Sequence, residues 1–190
     1  MWGAIKPLGK QLILGEVAES ELQQSFADRA RDMEAAGADA LLIESMTDVE
    51  EAVHALRGAR QAVGLKIGIA LVFGSGADQM ETVVGDACEE ATRRLVEEGA
   101  DLAGCNCGLG IDDMVLVIRL MRGLTDLPLL ACPDAGQKEL DGDHIVHRET
   151  PENFASKIPS LVGAGASVIG GCCGIRPEHL AAAAAVLSGE

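Results

Sequence analysis

Two neighbouring cysteines, Cys172 and Cys173, lie between glycines in the short stretch GGCCG, directly after the apolar run SVIG. A third, Cys107, follows another apolar run, LAGCN. Three thiolates suit zinc, a borderline-soft ion that takes about four ligands and keeps one position open in catalytic sites. Flanking glycines permit backbone conformations in which two successive side chains turn toward one ion. From these residues alone, a metal site, a redox pair and ordinary core thiols are three open alternatives.

The six cysteines of the sequence favour thiols or metal-bound thiolates over disulfide bonds. In a reducing compartment, a 190-residue α/β chain does not need a disulfide framework. Adjacent cysteines also form a strained and rare disulfide ring, which disfavours a bond between Cys172 and Cys173. Cys105 and Cys132 lie within apolar runs, and Cys88 lies in a segment of helical spacing. We expect these last three thiols to be packed in the core.

Further polar side chains follow apolar runs where strands are predicted to end. Glu44 follows ALLI, Asn106 follows LAGC, and Asp134 lies in the turn PDAG after LLAC. The carboxyl ends of parallel strands form one face of an α/β fold, where the connecting loops build the active site. We therefore expect these three side chains to converge with the three loop cysteines.

Apolar runs alternate along the chain with amphipathic segments of helical spacing. The runs are continuous in apolar residues, which is typical of parallel strands buried on both faces. Strands are predicted at Asp39–Ile43, Lys66–Phe73, Asp101–Cys105, Pro128–Cys132 and Ser167–Gly170, with a weaker one at Trp2–Ile5. Helices are predicted at Glu19–Ala36, Asp48–Ala62, Gly85–Glu98, Asp112–Arg122, Pro151–Gly163 and Pro177–Leu187. The repeat predicts a single α/β domain over residues 1–190, either a doubly wound sheet or a (β/α)8 barrel with too few strands to close.

The charge and the scarcity of aromatic residues exclude some classes of partner. The formal net charge of −15 repels nucleic-acid phosphates and anionic lipid. Aromatic residues make up only 2% of the chain, so platforms for base stacking are lacking. No apolar run approaches the roughly 20 residues needed to span a bilayer, and the first residues lack the apolar centre of a signal peptide. We expect a cytoplasmic protein that binds neither nucleic acid nor membranes.

Five segments together resemble the homocysteine S-methyltransferase family, which includes the homocysteine-binding domain of cobalamin-dependent methionine synthase and betaine–homocysteine methyltransferase. They are GAIKPLGK (3–10), GADALLIESMTDVEEA (37–52), GADLAGCNCGLGIDDM (99–114), LLACPDAG (129–136) and ETPENFASKIPSLVGAGASVIGGCCGIRPEHL (149–180). The cysteine motifs are the most specific of these, and the resemblance covers essentially the whole chain.

The resemblance implies a TIM-type (β/α)8 barrel of which this chain holds about six βα units, strands three to eight. It also implies a zinc-dependent transfer of a methyl group to the thiol of homocysteine, giving methionine. Cys107, Cys172 and Cys173 resemble the family's three zinc ligands. Glu44 resembles the acidic residue that contacts the amino end of homocysteine, and Asn106 and Asp134 occupy positions of the family's substrate site. The favoured methyl donor is a methylcorrinoid on a separate protein, with S-methylmethionine, betaine or another onium donor as alternatives.

The sequence departs from the family pattern at three places. Asp134 stands where the family usually has Asn, and Ser45 replaces the usual Thr after Glu44. The first two βα units, with their Asp-Gly and Asn-Thr-Phe elements, have no counterpart in this chain. We therefore expect a fragment or mis-started gene, or a barrel completed by another chain or another copy. In that case the chain is a subunit that binds zinc and a partner chain without catalysing alone.

Overall fold

The computed structural model describes residues 1–10, 12–136, 139–142 and 144–189. Its strands are β1 (Trp2–Ile5), β2 (Ala40–Met46), β3 (Lys66–Leu71), β4 (Leu102–Asn106), β5 (Leu129–Cys132), β6 (Glu139–Asp141), β7 (His144–Val146) and β8 (Val168–Ile169). Its helices are α1 (Glu19–Ala35), α2 (Val49–Ala62), α3 (Cys88–Glu97), α4 (Ile111–Arg122), α5 (Pro151–Ala164) and α6 (Pro177–Ser188). All six strands and six helices expected from the sequence are present, within a few residues of their predicted bounds.

Six strands form one parallel sheet in the order β1-β2-β3-β4-β5-β8. A helix lies in each connection between neighbouring strands, which is the βαβ unit that parallel pairing requires. The weak run at Trp2–Ile5 is a true strand and pairs in parallel with β2. The order follows the chain from one edge to the other, as in a barrel, and not the reversing order of a doubly wound sheet.

The two faces of the sheet are buried in different ways. Leu41, Ile43 and Ile69 are fully buried in the main core, between the sheet and the helices. Leu102 and Leu130 belong to a smaller cluster on the opposite face. This burial of both faces explains why the strands read as continuous apolar runs.

The smaller cluster depends on close approach of neighbouring strands. Gly104 pairs with Leu130 across the β4–β5 register, and a Cβ added to Gly104 would collide with Leu130. Gly68 pairs with Leu102 in the same way, and a Cβ there would press on the Leu102 side chain. Alternation of small and large residues fills the inner face of a barrel with side chains.

Side-chain caps start two of the helices within one residue of their predicted first residues. Asp48 caps α2 by accepting hydrogen bonds from the backbone N–H groups of Glu50 and Glu51. Thr150 caps α5 by accepting one from the N–H of Asn153, and Pro151 occupies the first turn. Helix α3 begins three residues later than predicted, because the preceding residues form a turn closed by hydrogen bonds between Thr82 and Asp86.

A short antiparallel hairpin, β6 and β7, lies between β5 and α5 and was not predicted. Asp141 ends β6, and Gly142 begins the connection with a φ of 63°, a conformation that glycine adopts readily. The flanking strands are only three residues each, too short to stand out from the surrounding polar loop. No helix in the described part of the chain combines the length and apolar character needed to cross a membrane.

The six-stranded sheet curves around a cavity of about 340 Å³ at the amino ends of its strands. Residues of five strands line this cavity, including Trp2 of β1 and Val168 of β8, together with Pro128 just before β5. In the described part of the chain these two strands are the edges of the sheet. Since both edges face the same cavity, the sheet is a partial barrel, open on one side.

Candidate metal centre

The loop after β4 carries Cys107 in a left-handed backbone conformation, with a φ of 60°. Its amide N–H donates to the carbonyl oxygen of Cys132 at 3.1 Å, which ties the loop to the end of β5. Gly108 follows with a φ of 77°, and a Cβ there would collide with the carbonyl oxygen of Phe73. Only glycine therefore allows the chain to turn this tightly against Phe73, just beyond β3, and present the Cys107 side chain at the mouth of the sheet.

The loop after β8 carries the adjacent cysteines and is held by the loop after β5. The N–H of Cys172 donates to the carbonyl oxygen of Pro133 at 2.9 Å. The N–H of Cys173 donates to Oδ1 of Asp134 at 3.0 Å, and its carbonyl oxygen accepts from the N–H of Ala135 at 2.8 Å. These bonds position both sulfurs against the PDAG turn.

Four potential ligand atoms meet where these loops converge. The sulfurs of Cys107, Cys172 and Cys173 and a carboxylate oxygen of Asp134 all lie within 4.8 Å of one another. Asp134 is 2% exposed, whereas Cys173 is exposed to solvent. The structure thus brings together four of the side chains singled out in the sequence, from the ends of three different strands.

Two of the three loop cysteines are bonded to each other. Cys107 and Cys172 form a disulfide, and the Sγ atoms of Cys107 and Cys173 are 3.6 Å apart. The expectation of thiols without disulfides is therefore wrong for this pair. The bond joins residues 65 positions apart in the chain, so only the folded loops bring the two sulfurs together. The adjacent pair, Cys172 and Cys173, is not bonded, in agreement with the strain argument.

The donor set fits zinc once the disulfide is reduced. Reduction gives two thiols that join the free thiol of Cys173, and three thiolates beside one carboxylate form a soft, anionic site of the kind that binds zinc in proteins. The convergence of the four ligand atoms, and not the cysteine spacing alone, supports this assignment.

Of the remaining cysteines, Cys88 and Cys105 are buried as expected from the sequence, and Cys132 is half-buried. Burial raises the pKa of the Cys88 thiol to about 12 and that of the Cys105 thiol well above its ordinary value. Burial, with the nearby charge of Glu44, raises the pKa of Cys132 to about 11. These thiols stay protonated near neutral pH and are poor ligands and nucleophiles.

Of the other two predicted site residues, Asn106 contacts this cluster. Asn106 ends β4 and is 2% exposed, and its Nδ2 lies 3.9 Å from the Cys172 sulfur. Glu44 lies near the carboxyl end of β2, half-buried, and does not share the four-atom cluster. Ser45, which sequence reasoning noted only as a replacement of Thr, forms two hydrogen bonds with Asn106.

The fold and these side chains together define a partial TIM-barrel protein with a cysteine-based site at the carboxyl mouth of its sheet. The family model for homocysteine S-methyltransferase matches residues 1–187, and the chain therefore belongs to that family. The resemblance inferred from the five sequence segments is confirmed.

Two methionine synthases are similar to this chain over nearly its whole length. Methionine synthases from Mycobacterium leprae (strain TN) and Mycobacterium tuberculosis (strain ATCC 25618 / H37Rv) are each 26% identical over 98% of this chain. The chain spans only 16% of the length of each of these relatives.

Solved structures of a homocysteine methyltransferase share the fold. The apo form of MmuM from Escherichia coli superposes with a TM-score of 0.76 at 22% identity, covering 97% of this chain and 61% of that one. The metallated form gives a TM-score of 0.71, also at 22% identity, covering 96% and 59%. The predicted fold class, a partial TIM-type barrel of six βα units, is confirmed.

Proposed function

We propose that this chain is the metal-binding portion of a zinc-dependent homocysteine S-methyltransferase, which moves a methyl group to the homocysteine thiol and yields methionine. The observation that carries the proposal is the meeting of three cysteine sulfurs and one carboxylate within 4.8 Å, in a chain that belongs to this family. The reducing cytoplasm is the compartment in which such thiols persist.

The residues of the chain have distinct roles in this proposal. Cys107, Cys172 and Cys173 hold the zinc ion, which supplies a positive centre that favours the deprotonated form of a thiol. Glu44 is half-buried at the carboxyl end of its strand and is the proposed contact for the amino group of homocysteine. Asn106 and Asp134, each 2% exposed, shape the substrate site through their contacts with Cys172 and Cys173.

The reaction requires orientation more than acid–base help. The thiol proton of homocysteine passes to solvent, and the sulfur electron pair forms the new bond to the methyl carbon. The bond between that carbon and the donor breaks, and its electron pair stays with the donor. Residues that fix the acceptor in line with the donor supply most of the rate in such a displacement.

The favoured methyl donor is a methylcorrinoid carried by another protein or domain. Supporting this choice, the sequence elements look closer to the cobalamin-dependent branch of the family. Sulfonium and betaine-type donors are the alternatives, and a methionine-formation assay with each donor compares them.

Metal analysis of the reduced protein tests the proposed site. After treatment with a phosphine reductant and dialysis against zinc, we expect about one zinc per chain by mass spectrometry of the metal. Cys172→Ala should lose it, whereas the matched control Cys88→Ala, which removes a packed thiol, should retain it. Wild-type protein without bound zinc, or equal zinc in both variants, would refute the site.

A second candidate is a barrel subunit that binds zinc but needs a partner chain for turnover. The two edge strands, which line one cavity from opposite sides, favour it. Exposed strand edges promote association with further chains. Sedimentation and a methionine-formation assay on the same sample separate the candidates, because a monomer that turns over homocysteine by itself would rule out the second.

A further inference from the structure

We infer that Ser45 and Asn106 act as a positioning pair, which aims an amide N–H group at the sulfur of Cys172. The inference rests on the proposed metal centre, since Cys172 is one of its ligands. It goes further by assigning a role to Ser45, which does not belong to the cluster of ligand atoms.

Ser45 reaches this position because β2 is irregular near its carboxyl end. The register with β3 shifts between Ile43 and Met46, where β2 contains one residue more than its neighbour. Ser45 has a φ of 63°, in the left-handed region that non-glycine residues seldom adopt. Bulges of this kind next to active sites redirect a side chain. Here the bulge lets Ser45 contact Asn106 of β4, although β3 lies between the two strands.

The hydrogen bonds determine which way the Asn106 amide points. The backbone N–H of Ser45 donates at 2.9 Å to one atom of the amide, and only the oxygen, Oδ1, can accept it. The NH₂ group must therefore occupy the other side. One of its hydrogens is donated to Ser45 Oγ at 2.9 Å, and Nδ2 lies 3.9 Å from the Cys172 sulfur.

Burial makes this orientation persistent. Asn106 is 2% exposed, so water does not compete for its amide. Rotation of the amide would place two donors against each other at the Ser45 N–H, which is costly in a buried site. The pair thus presents a donor to Cys172 in a fixed direction.

In this structure the Cys172 sulfur is bonded to that of Cys107. Once the disulfide is reduced and metal binds, a hydrogen bond from the Asn106 N–H to the Cys172 thiolate would withdraw electron density from the sulfur and hold its side chain in place. Partners of this kind, one contact removed from the metal, typically change metal affinity by about 10–100-fold. Asn106 touches the ligand directly, whereas Ser45 acts only through Asn106. Loss of Ser45 Oγ should therefore have the smaller effect.

Cobalt substitution tests the inference independently of activity. In reduced protein loaded with Co²⁺, we expect Asn106→Asp to weaken binding by about 10–100-fold and to move the sulfur-to-cobalt charge-transfer band to longer wavelength. Ser45→Ala should produce a smaller shift of the same sign. The matched controls Asn153→Asp and Ser156→Ala make the same chemical changes on α5, away from the ligand cluster, and should leave the band unchanged.

The outcomes separate this inference from the metal centre itself. Wild-type protein that binds Co²⁺, with Asn106→Asp and Ser45→Ala spectra identical to it, would overturn the positioning role and leave the metal centre intact. Wild-type protein that gives no thiolate band would overturn both. A graded shift, larger for Asn106→Asp than for Ser45→Ala, would support the inference even if one variant loses stability, because the band reports only on folded, metal-bound protein.

Discussion

The six cysteines of this chain divide into a loop set and a packed set that share a residue type and little else. The loop set occupies the mouth of the sheet and consists of Cys107, Cys172 and Cys173. The packed set lies within strands or a helix and consists of Cys88, Cys105 and Cys132. The loop sulfurs meet from distant parts of the chain, whereas burial raises the pKa of every packed thiol.

This comparison shows that position, not residue type, decides what a cysteine does. Cys105 and Cys107 are two residues apart, yet one is fully buried and the other reaches the ligand cluster. The end of β4 separates them, because the strand stops at Asn106 and the loop then turns into the left-handed region. The thiols that converge in this fold are those beyond the last strand residue.

The largest expected difference between the sets is in reactivity. At pH 8, a thiol with a pKa of about 12, such as Cys88, is ionised in about one molecule in 10⁴. We therefore expect exposed Cys173 to react with iodoacetamide at least about 10³-fold faster than Cys88 in the folded, reduced protein. Peptide mass spectrometry over a time course measures both rates. Equal rates would contradict the division between the loop set and the packed set.

Metal affinity should separate the sets next. Cys173→Ala removes one of the three proposed sulfur ligands. We expect it to weaken zinc binding by more than about 100-fold, which exceeds the effect of losing a residue that contacts a ligand but not the metal. Cys105→Ala should leave the affinity within about threefold of wild type, because Cys105 does not contribute to the ligand cluster. Competition with a chromophoric chelator gives both values. A large loss of zinc affinity in Cys105→Ala would contradict the division between the loop set and the packed set.

The free energy of unfolding should depend more on the packed set than on the loop set, which is the reverse of the order expected for metal affinity. Cys105→Ser places a hydroxyl group in the fully buried core and should lower the free energy of unfolding by about 1–3 kcal/mol. Cys173→Ser changes an exposed loop residue and should cost less than about 0.5 kcal/mol. Urea unfolding of reduced, metal-free protein measures the difference, and a reversed order would contradict the division.

Alkaline pH should reveal an effect that is small near pH 9 and grows with each further pH unit. The pKa of Cys88 rises from an ordinary 9.0 to about 12 on folding, so the folded state retains a proton that the unfolded state loses. The resulting stabilisation is complete below pH 9 and is lost as the pH rises toward 12, by up to about 1.4 kcal/mol per pH unit for one thiol. Stability of Cys88→Ala should decline less steeply over the same range. Parallel slopes would show that this thiol does not titrate on unfolding.

The sequence by itself determined the alternation of strands and helices, because continuous apolar runs and helical periodicity follow from burial on a parallel sheet. It also placed Cys107, Cys172, Cys173 and Asp134 after strands, and parallel strands end on one face. It could not reveal the β2 bulge at Ser45, whose signal is a backbone angle rather than a residue type. The tertiary structure alone decided that Cys107 and Cys172 are in bonding contact and that Asn106 faces Cys172, since both depend on distances between segments at least 65 residues apart.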